Sequence, residues 1–177
     1  MTLCVVCGLA QVAHAHDPQE SWTNATLFPD SLKVEITMAP YCAMFILKPD
    51  GKVPGLTESN FETYRSRLMA IAADFYVVTS LRAPLKPRDV DVRLTEENDL
   101  AFTLVYPRPA PGRLHFHANF LAKLGDGYGG TIYLSDPKGR DLGWDQISTE
   151  APNFEVTIAA GPPPANKGSA ALQPAAK

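Results

Sequence analysis

The stretch Leu32, Lys33, Val34, Glu35, Ile36, Thr37, Met38 decides the fold. Apolar residues hold every even position and polar residues every odd one. Side chains alternate between faces along a strand, so the pattern predicts a β-strand with one buried face and one solvated face. Pro29, Asp30 and Ser31 just before it each favour a bend, and residues 21–28 read as an earlier strand. The two form an N-terminal hairpin.

Further along, the period changes once. Phe61, Tyr64, Leu68, Ile71, Ala72 and Phe75 recur at three- and four-residue intervals, which predicts a helix with one apolar side. Thr57 opens it, and Ser59 with Glu62 has the spacing of a capping box. The helix is expected to end near Asp74, where residues 75–79 turn β-branched. Alternation then returns in Val90, Val92 and Leu94, in Leu100, Phe102, Leu104 and Tyr106, and in Leu114, Phe116, Ala118 and Phe120. Residues 96–99 turn the chain, and the prolines of 107–112 interrupt pairing because they lack a ladder donor. Strands at 131–135 and 154–158 follow, separated by loops at 125–130 and 136–139. Short strands with frequent turns predict a mainly β fold: an antiparallel, immunoglobulin-like β-sandwich with one inserted helix.

Composition agrees. A chain of 177 residues has room for one domain with a real core, and 45% hydrophobic against 20% charged residues excludes wholesale disorder. Sixteen Pro and twelve Gly favour turns over a helical bundle. A net charge of −3 supplies no basic footprint, so nucleic acid is not an expected partner. No run approaches the ~20 apolar residues of a membrane-spanning helix.

Residues 1–15 carry no Lys, Arg, Asp or Glu and close with Ala13-His14-Ala15, a small-x-small pattern that signal peptidase accepts. The positive segment usual at the start of a leader is missing, so Met1 is expected to stand inside a longer signal peptide. Cleavage after Ala15 makes His16 the first mature residue and sends the product to the periplasm or outside the cell. Cys4 and Cys7 leave with the leader, and no lipobox argues for a lipid anchor. Cys42 alone then remains, flanked by apolar residues that mark it as a small buried hydrophobe. The expected division is a signal peptide at 1–15, a sandwich at 16–160 and a disordered tail or linker at 161–177, a segment without periodic apolar residues.

Among chemistry-bearing motifs, most are absent. The glycines of 125–130 lack the spacing and the strand-to-helix setting of a nucleotide fingerprint, and no nucleophile elbow or metalloprotease helix occurs. Carboxylates such as Asp89, Asp91, Glu96, Glu97 and Asp99 stand on polar faces or in turns. No catalytic residue is assigned, and an enzyme is not expected. Trp22, Tyr128, Tyr133 and Trp144 fit either a ligand-binding surface or the sandwich core and rims.

The histidines offer more. His115 and His117 are two apart on one strand, so they share a face and make a bidentate imidazole pair. An N-terminal His16 adds an imidazole and an α-amine. Such a nitrogen set suits Cu(II), with Ni(II) or Zn(II) as weaker choices, and Asp17 or Glu20 can add an oxygen. The same face also carries Arg113 and Asn119, which fits two surface histidines that hold no metal. Both readings stay open.

Several segments together resemble the exported soluble region of the hydrogenase/urease accessory permease family (HupE/UreJ-like). They are His16-Asp17-Pro18 after a leader, the strand at 32–38, and Tyr106 to Gly112 with Leu114 and Phe116. Phe120-Leu121 followed by Gly127-Tyr128-Gly129, and Asp136 to Gly139 leading into Leu142, Gly143 and Trp144, complete the set. The resemblance covers about residues 16–158 and implies a role in nickel or related metal handling beside a membrane-protein partner. The family's membrane helices have no counterpart in this sequence, so transport itself is not expected of it. The expected function is that of an exported, non-catalytic domain accessory to nickel or copper handling at the cell envelope. A metal-free interaction or structural domain is the alternative.

Overall fold

A computed structural model describes residues 19–48 and 55–159. The expected signal peptide at 1–15, His16, Asp17 and the expected tail at 161–177 lie outside the described residues. The chain runs β1 (Glu20–Leu27), β2 (Ser31–Met38), α1 (Pro40–Leu47), α2 (Glu58–Ala72), β3 (Tyr76–Ser80) and β4 (Ala83–Leu85). It continues with β5 (Asp89–Leu94), β6 (Leu100–Pro107), β7 (Gly112–Ala118) and α3 (Asn119–Leu124), and ends with β8 (Gly129–Ser135), β9 (Asp141–Ser148) and β10 (Asn153–Ile158).

The strands form a β-sandwich. One sheet has six strands in the order β5-β6-β2-β1-β8-β9 and the other has four in the order β10-β7-β3-β4. Pairing is antiparallel except between β1 and β8, which run parallel. The alternation of β2 does what the sequence predicts: Leu32, Val34, Ile36 and Met38 are buried, and Lys33, Glu35 and Thr37 face outward. Leu100, Phe102, Leu104 and Tyr106 of β6 join them from the next strand. Leu114, Phe116 and Ala118 of β7 meet them from the other sheet. Full burial of such side chains stabilises the fold by about 1.5–3 kcal/mol each.

Three helices are present among the described residues where one was expected. The additional α1 (Pro-Tyr-Cys-Ala-Met-Phe-Ile-Leu) has no apolar period because Cys42, Ala43, Met44 and Ile46 are all buried, enclosed by contacts with α2 and α3. Pro40 suits its first turn, where an amide donor is not needed. Cys42 is buried as expected, and burial pushes its thiol pKa up to about 11. The residues around α2 also differ in detail from expectation. Thr57 is the N-cap, its backbone amide donates to Asn60 Oδ1 at 2.8 Å, and the Ser59 hydroxyl meets Thr57 Oγ1 at 2.9 Å. Asn60 therefore takes the place expected of Glu62. Phe120, read as part of an alternating strand, instead lies in the short helix α3.

Aromatic edges lock the centre. Phe75 meets Phe102 at 5.0 Å and Phe120 at 5.6 Å, and Tyr76 meets Phe116 at 6.1 Å. Tyr76 Oη and Thr23 Oγ1 hydrogen-bond at 2.9 Å, a buried polar tie between the two sheets.

Candidate functional site

Strand β7 positions the two candidate histidines. It lies between β10 and β3, and its inward residues Leu114, Phe116 and Ala118 are buried. His115 and His117 therefore point outward together, each half-buried. Thr79 and Glu155 flank His115; Val77 and Asn153 flank His117. Asn153 Oδ1 lies 2.8 Å from His117 Nδ1. A ring that donates Nδ1–H to this acceptor presents Nε2 outward as a metal-ligating lone pair when neutral, as in histidine ligands whose other ring nitrogen is held by an oxygen acceptor.

Beside His115 the setting is cationic. Thr79, Leu81, Arg82, Arg113, His115 and Glu155 line a groove of about 470 Å³. Glu155 is turned toward Arg113, whose Nε lies 3.3 Å from Oε1. Arg82 comes from a two-residue hairpin turn in which Leu81 (φ 50°) and Arg82 (φ 69°) both adopt left-handed backbone. Hairpins demand that twist, but side chains other than Gly, Asn or Asp pay about 1–2 kcal/mol per residue for it.

The sequence-predicted site residues thus part company. The fold brings His115 and His117 to one face, and His16 lies outside the described residues. Glu20 opens β1 on the outer face of the six-stranded sheet, the opposite side of the sandwich from the histidines. It does not supply their oxygen ligand. Among the described residues, no three His, Cys, Asp or Glu side chains converge as a metal site. Two imidazoles suit Cu(II) or Ni(II), but a third donor has to come from outside the described residues.

The sequence reading missed Arg82, because a β3–β4 hairpin turning on Leu81 and Arg82 carries none of the Gly or Asn signals of such a turn. No helix among the described residues is long and apolar enough to cross a membrane. No protein-family model and no curated protein matches the chain.

Proposed function

We propose that the chain is an exported, non-catalytic β-sandwich accessory to nickel or copper handling at the cell envelope. The observation that carries this reading is the outward pair His115 and His117 on β7, with Asn153 fixing the second ring. The leader-like residues 1–15 and the resemblance to the soluble region of HupE/UreJ-like proteins support it. In this reading His115 and His117 supply two imidazole nitrogens and His16 the third donor, with a membrane protein receiving the ion. Bound metal would crosslink the strand to the N-terminus.

The test is calorimetric titration of Cu(II), Ni(II) and Zn(II) into the protein beginning at His16. Parallel samples carry one extra N-terminal residue, or the double substitution His115→Ala and His117→Ala. One-to-one binding that both changes weaken by tenfold or more is expected, since each removes a ligand. Binding no tighter than isolated surface histidines give, or binding indifferent to both changes, overturns it. A second reading, a metal-free interaction domain, is favoured by Arg82 and Arg113 beside His115. Their fixed charges repel a divalent cation and suit an acidic partner.

A further inference from the structure

The opposite face of the sandwich carries a different kind of surface. Outward residues of β1, β8 and β9 form three rows set by register. The first is Glu20, Gly129 and Ser148; the second is Trp22, Thr131 and Gln146; the third is Asn24, Tyr133 and Trp144. Three aromatic rings adjoin across them, Trp22 in the second row and Tyr133 and Trp144 side by side in the third. Trp22 and Tyr133 are parallel to within 1° with centroids 6.0 Å apart, and Tyr133 and Trp144 lie at 25° and 5.9 Å.

Cross-strand aromatic pairs stabilise sheets, and that alone would explain buried rings. These are not buried: Tyr133 is 37% exposed, and Trp144, on the edge strand, is 56% exposed. Thr131 and Gln146, the register partners of Trp22, also line a depression of about 490 Å³ together with Tyr128, within the ~300–1,000 Å³ range of small-ligand clefts. Its floor is low because Gly129 has no side chain, Gly130 beside it turns inward against Ser21, and Thr131 is small. Glycine is obligatory at the second of these, where a Cβ would come within 2.2 Å of the Ser21 carbonyl. Around the floor stand Glu20, Gln146, Ser148 and Glu150, and among the described residues no Lys or Arg lines it. The Ser148 hydroxyl donates to Glu150 Oε2 at 2.9 Å, holding that carboxylate in place.

We propose that this depression and its aromatic row bind a neutral oligosaccharide. The occupant follows from complementarity. A pyranose with equatorial hydroxyls has two apolar C–H faces, which stack on aromatic rings, and a rim of hydroxyls, which donate to carboxylates and pair with amides. Two carboxylates without a cation repel phosphates, uronates and acidic peptides. An apolar partner would leave Glu20, Gln146 and Glu150 desolvated without hydrogen bonds. β-1,4-linked glucose or N-acetylglucosamine has the required shape. This site is on the other sheet from His115 and His117 and does not depend on metal binding.

The assay uses the protein's own reporters. Both of its tryptophans, Trp22 and Trp144, belong to the row, so a stacked sugar must alter their emission. The full chain is titrated with cellohexaose and with chitohexaose, against oligogalacturonate and a proline-rich peptide. A saturable shift in tryptophan emission with one of the two neutral sugars, and none with oligogalacturonate, is expected. Trp144→Ala, at an exposed edge position, should weaken binding by about tenfold or more when read by calorimetry, while Val77→Ala, at an exposed position of the other sheet, leaves it unchanged. Circular dichroism and the thermal midpoint confirm that each variant is folded. Silence toward both neutral sugars at millimolar concentration overturns the proposal. So does binding that Trp144→Ala leaves intact, or tighter binding of the peptide than of either sugar.

Discussion

The buried pair Thr23 and Tyr76 gives a sharp test of how the sheets are joined. Thr23 is 0% and Tyr76 3% exposed, and their hydroxyls meet at 2.9 Å across the core. Thr23→Val keeps the shape and removes the partner of the Tyr76 hydroxyl, which burial strands away from water. An unsatisfied buried hydroxyl costs about 1–3 kcal/mol. Tyr76→Phe orphans the Thr23 hydroxyl instead. That group can rotate toward a backbone carbonyl, so the expected cost is smaller, about 1 kcal/mol. The double variant removes both polar groups and should be less destabilised than the sum of the singles, with a coupling of about 1–2 kcal/mol. The Tyr106 hydroxyl donates to the Tyr76 backbone carbonyl at 3.4 Å in every member of the set, so it cancels from the cycle. Urea unfolding followed by circular dichroism gives the four free energies, with a common m-value required for the comparison. Additivity within about 0.5 kcal/mol would refute the claim that this hydrogen bond ties the sheets together.

Three further outcomes follow from local geometry. Gly130→Ala places its Cβ 2.2 Å from Ser21 O and 2.3 Å from Ser21 Oγ, so β1 must shift off β8. A loss at or above the top of the ~1–3 kcal/mol range for overpacking is expected in urea unfolding, whereas Gly55→Ala, with open space around it, should stay within about 0.5 kcal/mol. Burial raises the Cys42 thiol from 9.0 to about 11, so the folded state keeps this proton longer than the unfolded chain. Its stabilising contribution is complete below the ordinary thiol range and declines as pH rises through about 9 to 11; urea midpoints across that window should fall more steeply for the parent than for Cys42→Ala. Asp136 is held below the usual carboxylate range first by the Arg140 amide at 3.0 Å, then by the Lys138 amide at 2.9 Å. Its contribution is therefore present above about pH 4 and lost as pH falls, and Asp136→Asn should flatten the acid limb of the stability curve.

The sandwich was legible wherever one face of a strand is buried and the other wet. In β2 the sheet's demand and the residue pattern coincide position by position, and β6 and β7 repeat it. Legibility failed where that contrast vanishes. Strand β9 shows no alternation: Asp141, Trp144, Asp145 and Gln146 are all exposed because β9 is the outer strand of its sheet, with an irregular register where Leu134 gives way to Ser135. Helix α1 fails for the opposite reason, since burial on nearly every side erases the period that would announce it. Strand β4 is only Ala83, Pro84 and Leu85, too short to carry a pattern, and its proline is tolerated at the edge of the four-stranded sheet.

Sites are harder to read than strands because parity along one strand says which face a residue takes, not which neighbours it meets. Parity was enough to put His115 and His117 together, and they are together. Their surroundings depend on the pairing of β7 with β3 and β10, which brings Thr79 and Glu155 beside one ring and Asn153 beside the other. Pairing also separates what the sequence suggests is close. Glu20 sits few residues from His16, yet it opens a strand of the other sheet and turns away from the histidines. The same logic assembles the aromatic row. Trp22 and Tyr133 are far apart in sequence, and their meeting requires the parallel pairing of β1 with β8, the one departure from an antiparallel sandwich. Tyr128, named with them from the sequence, stands outside the row; it packs partly buried against the core and lines the adjoining depression. A two-residue slip between β1 and β8 that set Trp22 opposite Gly129 would keep every face assignment yet carry the indole away from Tyr133, abolishing the row. The residues forbidding that slip are Gly129 and Gly130, where the backbones of β9 and β1 press too close for any side chain. In the sequence those glycines look like a flexible loop; in the fold they set the register on which the aromatic surface depends.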